Sequence, residues 1–410
     1  MKTLKTSTTV AFALCLCAIV TGHAQTTNQS LTSWQIHDLT NYQEQVSLPT
    51  EIVSFIASKE KLVREMAARD GFELGADLKS YFAAAESGRA REAEQIRFAM
   101  FNDTNNPAYK SPLKGAFFDT ELAFEQFAMS DPGLVMMAGK DYMDSLPANC
   151  IYFGGTDPGR GLPTALCRAP GDPVFVLTQN ALCTSDYIQY VRDLYGSRIK
   201  LPTPDEVKVP ASGDMSKRQM DIMQTNALIA KAIFDMNPDR EFYYEQSFPL
   251  DWMYPYLSPH GVVMKLNRTP VESIPTNDVE QDMVFWSAKI SQLQGNPRFA
   301  TDNTRKIYSH LRFSIAGIYA WRAQFQNTKD AAERQRMSQA AEKAFQQSLE
   351  LFPTSLEAVF GYANLETQMQ KFQAALDIAE SAAQADPSNQ QLKGLVRQVE
   401  QVVAQAATHK

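Results

Sequence analysis

Residues 356–387, "LEAVFGYANLETQMQKFQAALDIAESAAQADP", contain two runs of helical periodicity joined by a short polar link and closed by a proline. Pro353 and Pro387 lie 34 residues apart, and the same spacing relates Ala341 to Ala375 and Ser348 to Ala382. A fixed period of this length is the mark of stacked helix pairs. Small residues recur in it because paired helices must approach closely. Proline ends each second helix because it has no N–H to donate to the preceding turn.

The period is that of the tetratricopeptide repeat. Residues 356–387 fit one repeat, Ser309–Phe352 fit a longer one with an insertion around Asn327–Arg336, and Gln390–Ala407 read as a capping helix, so that 300–407 form a repeat domain. The groove of such a stack binds a protein or peptide, or packs against a neighbouring domain; with only two repeats both uses stand open.

Upstream the pattern changes to strands alternating with helices. Cys150–Phe153, Val174–Thr178, Glu241–Gln246 and Gly261–Leu266 are apolar or alternating runs of strand length. Between them fall a short helix near Thr164, a helix over Thr184–Tyr195 with Tyr187, Ile188, Val191 and Leu194 on one face, and a helix over Gln219–Phe234 that stops at Asn237-Pro238. The order predicts an α/β domain over 129–270 with a Rossmann-like, mainly parallel sheet. Ahead of it, Glu51–Ala68, Ala76–Ala85 and Ala90–Phe101 carry apolar residues at helical spacing, with Gly88 separating the last two, and predict an all-helical region over 51–128. Asp131-Pro132 opens a further helix as N-cap acid and first-turn proline. The fold class is therefore α/β combined with all-α.

The N-terminus reads as an export signal over 1–24. Lys2 and Lys5 precede an apolar run from Val10 to Val20, and Gly22-His23-Ala24 places small residues around a cleavage point before Gln25. The expected location is periplasmic or extracellular. Residues 25–50 are polar and rich in Thr, Gln and Asn. With 46 acidic against 39 basic residues the formal net charge is −7, and loss of the two leader lysines takes it to −9, which argues against nucleic acid as a partner. No later stretch approaches the length of a membrane helix, so an integral membrane protein is not expected. Cys150, Cys167 and Cys183 show no metal spacing and read as buried thiols or one disulfide plus a thiol; His37, His260, His310 and His409 are scattered singly. Neither a metal nor a cofactor is implied, and no nucleophile elbow or phosphate-loop lysine marks a catalytic residue.

Six stretches, "IYFGGTDPGR" (151–160), "VFVLTQNAL" (174–182), "DYIQYVRDLYG" (186–196), "FDMNPDREFYYEQSFPLDWMYPYLSPHGVVMKLNR" (234–268), "LRFSIAGIYAWR" (311–322) and "SLEAVFGYANL" (355–365), together resemble the soluble tail of certain large bacterial envelope proteins related to the multi-pass protein O-mannosyltransferases. The resemblance spans about residues 115–395. It implies a soluble α/β and tetratricopeptide region, and because the family's transferase chemistry is associated with a membrane unit that does not precede Gly115 here, it implies a non-catalytic scaffold linked to glycan or glycoprotein handling.

Two clusters are candidate sites. At the predicted carboxyl edge of the first strand, the amides of Gly154, Gly155 and Thr156 could form an anion-binding nest, with Arg160 closing on a phosphate or carboxylate and Thr178, Gln179 and Asn180 arriving from the next strand. Asp157 repels a bare phosphate, so a sugar phosphate or sugar nucleotide fits this turn better. The alternative is a packed turn in which Asp157 caps, Pro158-Gly159 bends the chain and Arg160 pairs with an acid. In the second cluster, Asp251, Trp252 and Tyr254, with Tyr256, form either a carbohydrate-stacking platform or packing between the sheet and the repeat helices. The basic stretch Arg89–Arg97, interrupted by Glu92 and Glu94, reads as a solvated helix face.

Overall fold

The computed structural model describes residues 39–103, 106, 113–155, 157–167, 174–203, 215–245 and 250–408; the predicted leader and most of the polar segment after it lie outside them. Among the described residues the chain is mostly helical, with one small five-stranded sheet, and it divides into two compact units. The first comprises 37–271 with 301–304; the second comprises 272–300 with the chain from 305 onward.

The first unit opens with helices α1 (Thr50–Asp70), α2 (Ala76–Glu86) and α3 (Ala90–Asn102). On α1 the buried positions Ile52, Phe55, Ile56, Lys59, Val63 and Met66 follow the 3.6-residue period. Gly88 sits at φ 71° between α2 and α3, where a Cβ would lie 2.2 Å from the Val46 carbonyl oxygen; only glycine allows residues 43–46 to pass so closely. Helices α4 (Lys114–Met129) and α5 (Pro132–Asp144) follow, and the Asp131 carboxylate caps α5 by accepting from the amides of Gly133 (2.9 Å) and Leu134 (3.2 Å).

Arg89–Arg97 is not uniformly a solvated face. Arg89 and Arg91 reach outward, but α3 turns Glu94 and Arg97 inward, where Arg97 binds Glu94 and, at 3.1 Å, Glu121 of α4. A second buried ionic group joins α1 to α4: Lys59 Nζ donates to Asp119 at 2.6 Å and to the Tyr190 hydroxyl at 2.8 Å. Glu121 and Asp119 lie far along the chain from Arg97 and Lys59, so the local charge pattern alone suggested solvation.

The sheet contains β1 (Ile151–Gly154), β2 (Phe175–Thr178), β3 (Phe242–Glu245), β4 (Leu257–His260) and β5 (Val263–Leu266) in the order β2-β1-β3-β5-β4. Helices α6 (Asp157–Leu166), α7 (Ser185–Tyr195) and α8 (Met215–Met236) lie in the connections. β1 pairs in parallel with β2 and β3, and the other two pairings are antiparallel. The sheet is therefore mixed, not mainly parallel, and does not reduce to a Rossmann-like layer. The difference arises at "LSPHGVVMKL", which folds as a hairpin on Gly261 (φ 59°); Pro259 is accommodated because β4 is an edge strand. Central β1 is buried at every position, consistent with its unbroken apolar run.

The second unit consists of α9 (Thr276–Gln294), α10 (Thr304–Ala323, its first residue belonging to the other unit), α11 (Ala331–Leu351), α12 (Leu356–Gln368), α13 (Phe372–Ala385) and α14 (Gln390–Thr408). Pro353 and Pro387 follow α11 and α13 directly, and Ala341, Ala375 and Ala382 are buried at the helix contacts, as the 34-residue period requires. The expected insertion is shorter than 327–336: Asp330 caps α11 through the Ala332 amide at 2.9 Å, so 331–336 are helical. Helix α9 extends the stack on the N-terminal side. It is tied in by Asp282, which accepts from Arg312 Nη1 and from the Tyr319 hydroxyl, both at 2.8 Å, while Arg312 Nε donates to Gln347 at 2.9 Å.

Candidate functional site

At the carboxyl edge of β1, helix α6 begins at Asp157, well ahead of the short helix expected near Thr164, so Arg160 stands in the first helical turn. The glycines have packing reasons. A Cβ on Gly154 would lie 2.7 Å from the Gly159 carbonyl oxygen, and one on Gly161 would lie 2.7 Å from the Leu122 carbonyl of α4. The Gly155 amide donates to the Glu245 carbonyl at 3.1 Å, which directs it to the end of β3 and away from any nest. The Tyr152 hydroxyl reaches under the turn to donate to the Gly159 carbonyl at 2.7 Å. Thr156 and the side chain of Asp157 lie outside the described residues.

Gly154, Arg160 and Thr178 do come together. Arg160 Nη1 donates to Thr178 Oγ1 at 3.1 Å, and Arg160 Nε is enclosed without a hydrogen-bond partner among the described residues. The Thr178 amide donates to the Tyr187 hydroxyl at 2.6 Å. Burial pushes Tyr187 up to about 12, so it remains a neutral phenol at ordinary pH. Gln179 is buried beside Tyr244, whereas Asn180 is exposed, its carbonyl accepting from Asn226 at 3.4 Å.

In the second cluster Asp251 is exposed. Trp252 packs on α8 of its own unit: Nε1 donates to the Ala227 carbonyl at 3.1 Å, and the ring lies 5.5 Å from that of Phe234 and 6.1 Å from that of Tyr256. Lys231 approaches the Trp252 ring at 5.6 Å, a cation–π contact. Tyr254 is half-buried near Tyr244. Among the described residues the three cysteines carry free thiols, with Cys150 and Cys183 buried and Cys167 partly so. Among the described residues no group of His, Cys, Asp and Glu is arranged to hold a metal, and no helix is long and apolar enough to cross a membrane.

The repeat helices present an exposed polar side. Gln373 and Asp377 on α13 are exposed and joined at 2.9 Å, and Lys393 and Arg397, one turn apart on α14, are both exposed. Residues 334–399, from within α11 to within α14, match the tetratricopeptide repeat family model. No curated protein and no solved structure matches the chain. The matched region is the helical stack built on the 34-residue period, and a tetratricopeptide repeat suggests a protein-interaction module.

The sequence reading overlooked three features. Arg240, Lys265 and Arg268 meet at the opposite edge of the sheet, although all three stand within the long quoted stretch 234–268. The buried Asp282–Arg312 pair was also missed, because its acid lies on a helix that the reading left unassigned. The third is the Lys59–Asp119–Tyr190 group, whose members are 60 and 131 residues apart from Lys59 and show no local pattern.

Proposed function

We propose that the chain is a non-catalytic interaction protein whose repeat unit carries the partner surface. The supporting observation is the tetratricopeptide match over α11–α14, a stack whose outer side displays exposed charged residues. Export to the cell envelope and a link to glycan or protein glycosylation belong to the same reading; they rest on the leader-like N-terminus and on the resemblance to O-mannosyltransferase-related tails. The test is quantitative. The full chain and a Lys393→Glu/Arg397→Glu variant are crosslinked in cells before lysis, and recovered proteins are compared by mass spectrometry. A partner depleted in the variant supports the proposal, and identical recovery of every protein removes it. N-terminal sequencing of the mature chain tests export directly, with Gln25 as the expected first residue.

One observation favours a second reading, a sugar-phosphate or sugar-nucleotide site at the turn after β1. A helix N-terminus disfavours a cation, yet Arg160 stands in the first turn of α6, and its hydrogen bond goes to the neutral Thr178 hydroxyl. An anion there would offset both positive charges. Thermal-shift measurements with nucleotide sugars on the native chain and on Arg160→Gln decide it. A shift present only in the native chain supports the site; no shift, or the same shift in both, excludes it.

A further inference from the structure

The sheet has a second edge. At the amino end of β3, where Phe242 pairs with Leu266 at the end of β5, a cleft of about 270 Å3 opens between residues 238–242 and 265–268. It lies at the opposite end of β3 from Glu245 and the turn after β1.

Three cations line this cleft, and two are guanidinium groups held by main chain. Arg240 donates to the carbonyls of Asn149 (3.3 Å) and Arg198 (3.0 Å), and its guanidinium lies 5.1 Å from the centre of the Phe175 ring. Arg268 donates to the carbonyls of Phe234 (2.7 Å), Arg240 (2.6 Å) and Asn237, and it lies 4.5 Å from the Phe234 ring and 4.7 Å from that of Phe242. Every hydrogen bond of these two residues goes to a carbonyl; among the described residues neither forms an ion pair. Arg268 Nε is enclosed with no hydrogen-bond partner among the described residues. Burial also lowers the Arg268 pKa, and the more distant Asp235 and Asp239 oppose that only in part.

These arginines are fixed before any ligand arrives. Main-chain carbonyls and aromatic faces lock both guanidinium groups, so little side-chain entropy remains to be lost on binding. Arg240 uses two of its five N–H donors, which leaves a fork for an oxyanion. The third cation, Lys265, leans on Glu241 at 2.5 Å and lies at the open side of the cleft. Asp239 and Glu241 also line the cleft, and Asn267 uses its side-chain amide on the Tyr256 carbonyl and the Ser258 hydroxyl, leaving its Oδ1 as an acceptor. Glu241 is held low by Lys265 and stays ionised. A bare phosphate would be repelled by Asp239, whereas hydroxyl groups would donate to Asp239 and Asn267. The volume is below that of pockets that take drug-sized molecules.

We propose that the cleft between Arg240, Lys265 and Arg268 binds a compact, hydroxylated phosphate monoester. The phosphate sits against the arginine fork and the hydroxyls face Asp239 and Asn267. The proposal is independent of the turn after β1, so either can fail alone.

The test uses the full chain and glycerol 3-phosphate as probe, with inorganic phosphate and glycerol as comparisons, by calorimetric or NMR titration at two salt concentrations. Saturable binding of glycerol 3-phosphate is expected, tighter than inorganic phosphate, with no binding of glycerol and with weakening at higher salt. Arg240→Lys keeps the charge but loses the fork, and should weaken binding about tenfold or more. Lys265→Gln removes a partly exposed ion pair with Glu241 and a cation–π contact with the Tyr243 ring at 5.8 Å; it should fold normally and weaken binding severalfold. Arg160→Gln should leave binding unchanged. No binding of the probe at millimolar concentration overturns the proposal, as does binding unaffected by both cleft variants or abolished by Arg160→Gln.

Discussion

Replacing Arg312 by methionine should destabilise the repeat unit severely. The Arg312 side chain is fully enclosed and that of Asp282 is 4% exposed, so removing the guanidinium leaves a buried carboxylate held only by the Tyr319 hydroxyl. Breaking a buried pair from one side costs about 3–5 kcal/mol. The same change also removes the bond to Gln347 and the contact with the Trp286 ring at 5.3 Å, so the upper part of that range applies. For a unit of this size the melting temperature should fall by roughly 10–20 °C. The double variant Arg312→Met/Asp282→Leu removes both charges and should recover much of the loss, giving a coupling energy of about 2 kcal/mol or more. Urea unfolding followed by far-UV circular dichroism and tryptophan fluorescence measures these two variants and the single Asp282→Leu change that completes the cycle. A single-variant loss below about 1 kcal/mol, or strictly additive effects in the double variant, would refute the claim that this pair fastens α9 to the repeats.

Three further outcomes follow from the first unit. Gly161→Ala places a methyl group 2.7 Å from the Leu122 carbonyl and should lower stability by about 1–3 kcal/mol through that clash, and Gly196→Ala, with nothing within 4 Å of the added carbon but φ at 59° and ψ at −136°, should cost about 1–3 kcal/mol through backbone strain alone; urea midpoints compare each with the native chain. Burial lowers the His260 pKa below its ordinary 6.5, so the unfolded chain binds the proton more readily, and the stability that neutral His260 provides is present above pH 6.5 and lost as pH falls through its folded value. His260→Phe should therefore show a flatter stability profile between pH 7 and 5, and an unchanged profile contradicts this. Burial pushes the Cys167 thiol up to about 11 and the Cys150 thiol higher still. At pH 8 a thiol reagent should modify partly exposed Cys167 first and leave Cys150 for the unfolded chain, as peptide mapping would show.

Local patterns in the sequence were legible and partnerships were not. The 34-residue period located α11, α12 and α13 because close helix packing demands small residues at fixed places and proline at the ends. Asp131-Pro132 marked the start of α5 because capping is a local interaction. Helix α9 escaped notice because its buried residues Val279, Asp282, Trp286, Ile290 and Leu293 include an acid whose partner, Arg312, lies on the next helix. The hairpin β4–β5 escaped because "LSPH" carries a proline and belongs to an edge strand with a half-exposed pattern. At the candidate turn the glycines were visible, but their cause was not. "GGTDPGRG" resembles an anion cradle in sequence, whereas Gly154 and Gly161 admit the backbones of α6 and α4 at close range. The Arg160–Thr178 contact depended on strand register, and the carbonyl-pinned arginines beyond the other edge depended on four separate segments, at residues 149, 198, 234–240 and 268.

Site-specific photocrosslinking in living cells locates the partner surface on the repeat helices. A photoreactive residue is placed singly at exposed Gln373, Lys393 and Arg397 of the repeat unit, and at exposed Arg64 and Lys79 of the first unit. Discrete adducts of one common mass are expected from the repeat positions, and none of that mass from Arg64 or Lys79. Absence of adducts at all three repeat positions, or the same adduct from the first-unit positions at equal yield, would contradict that placement.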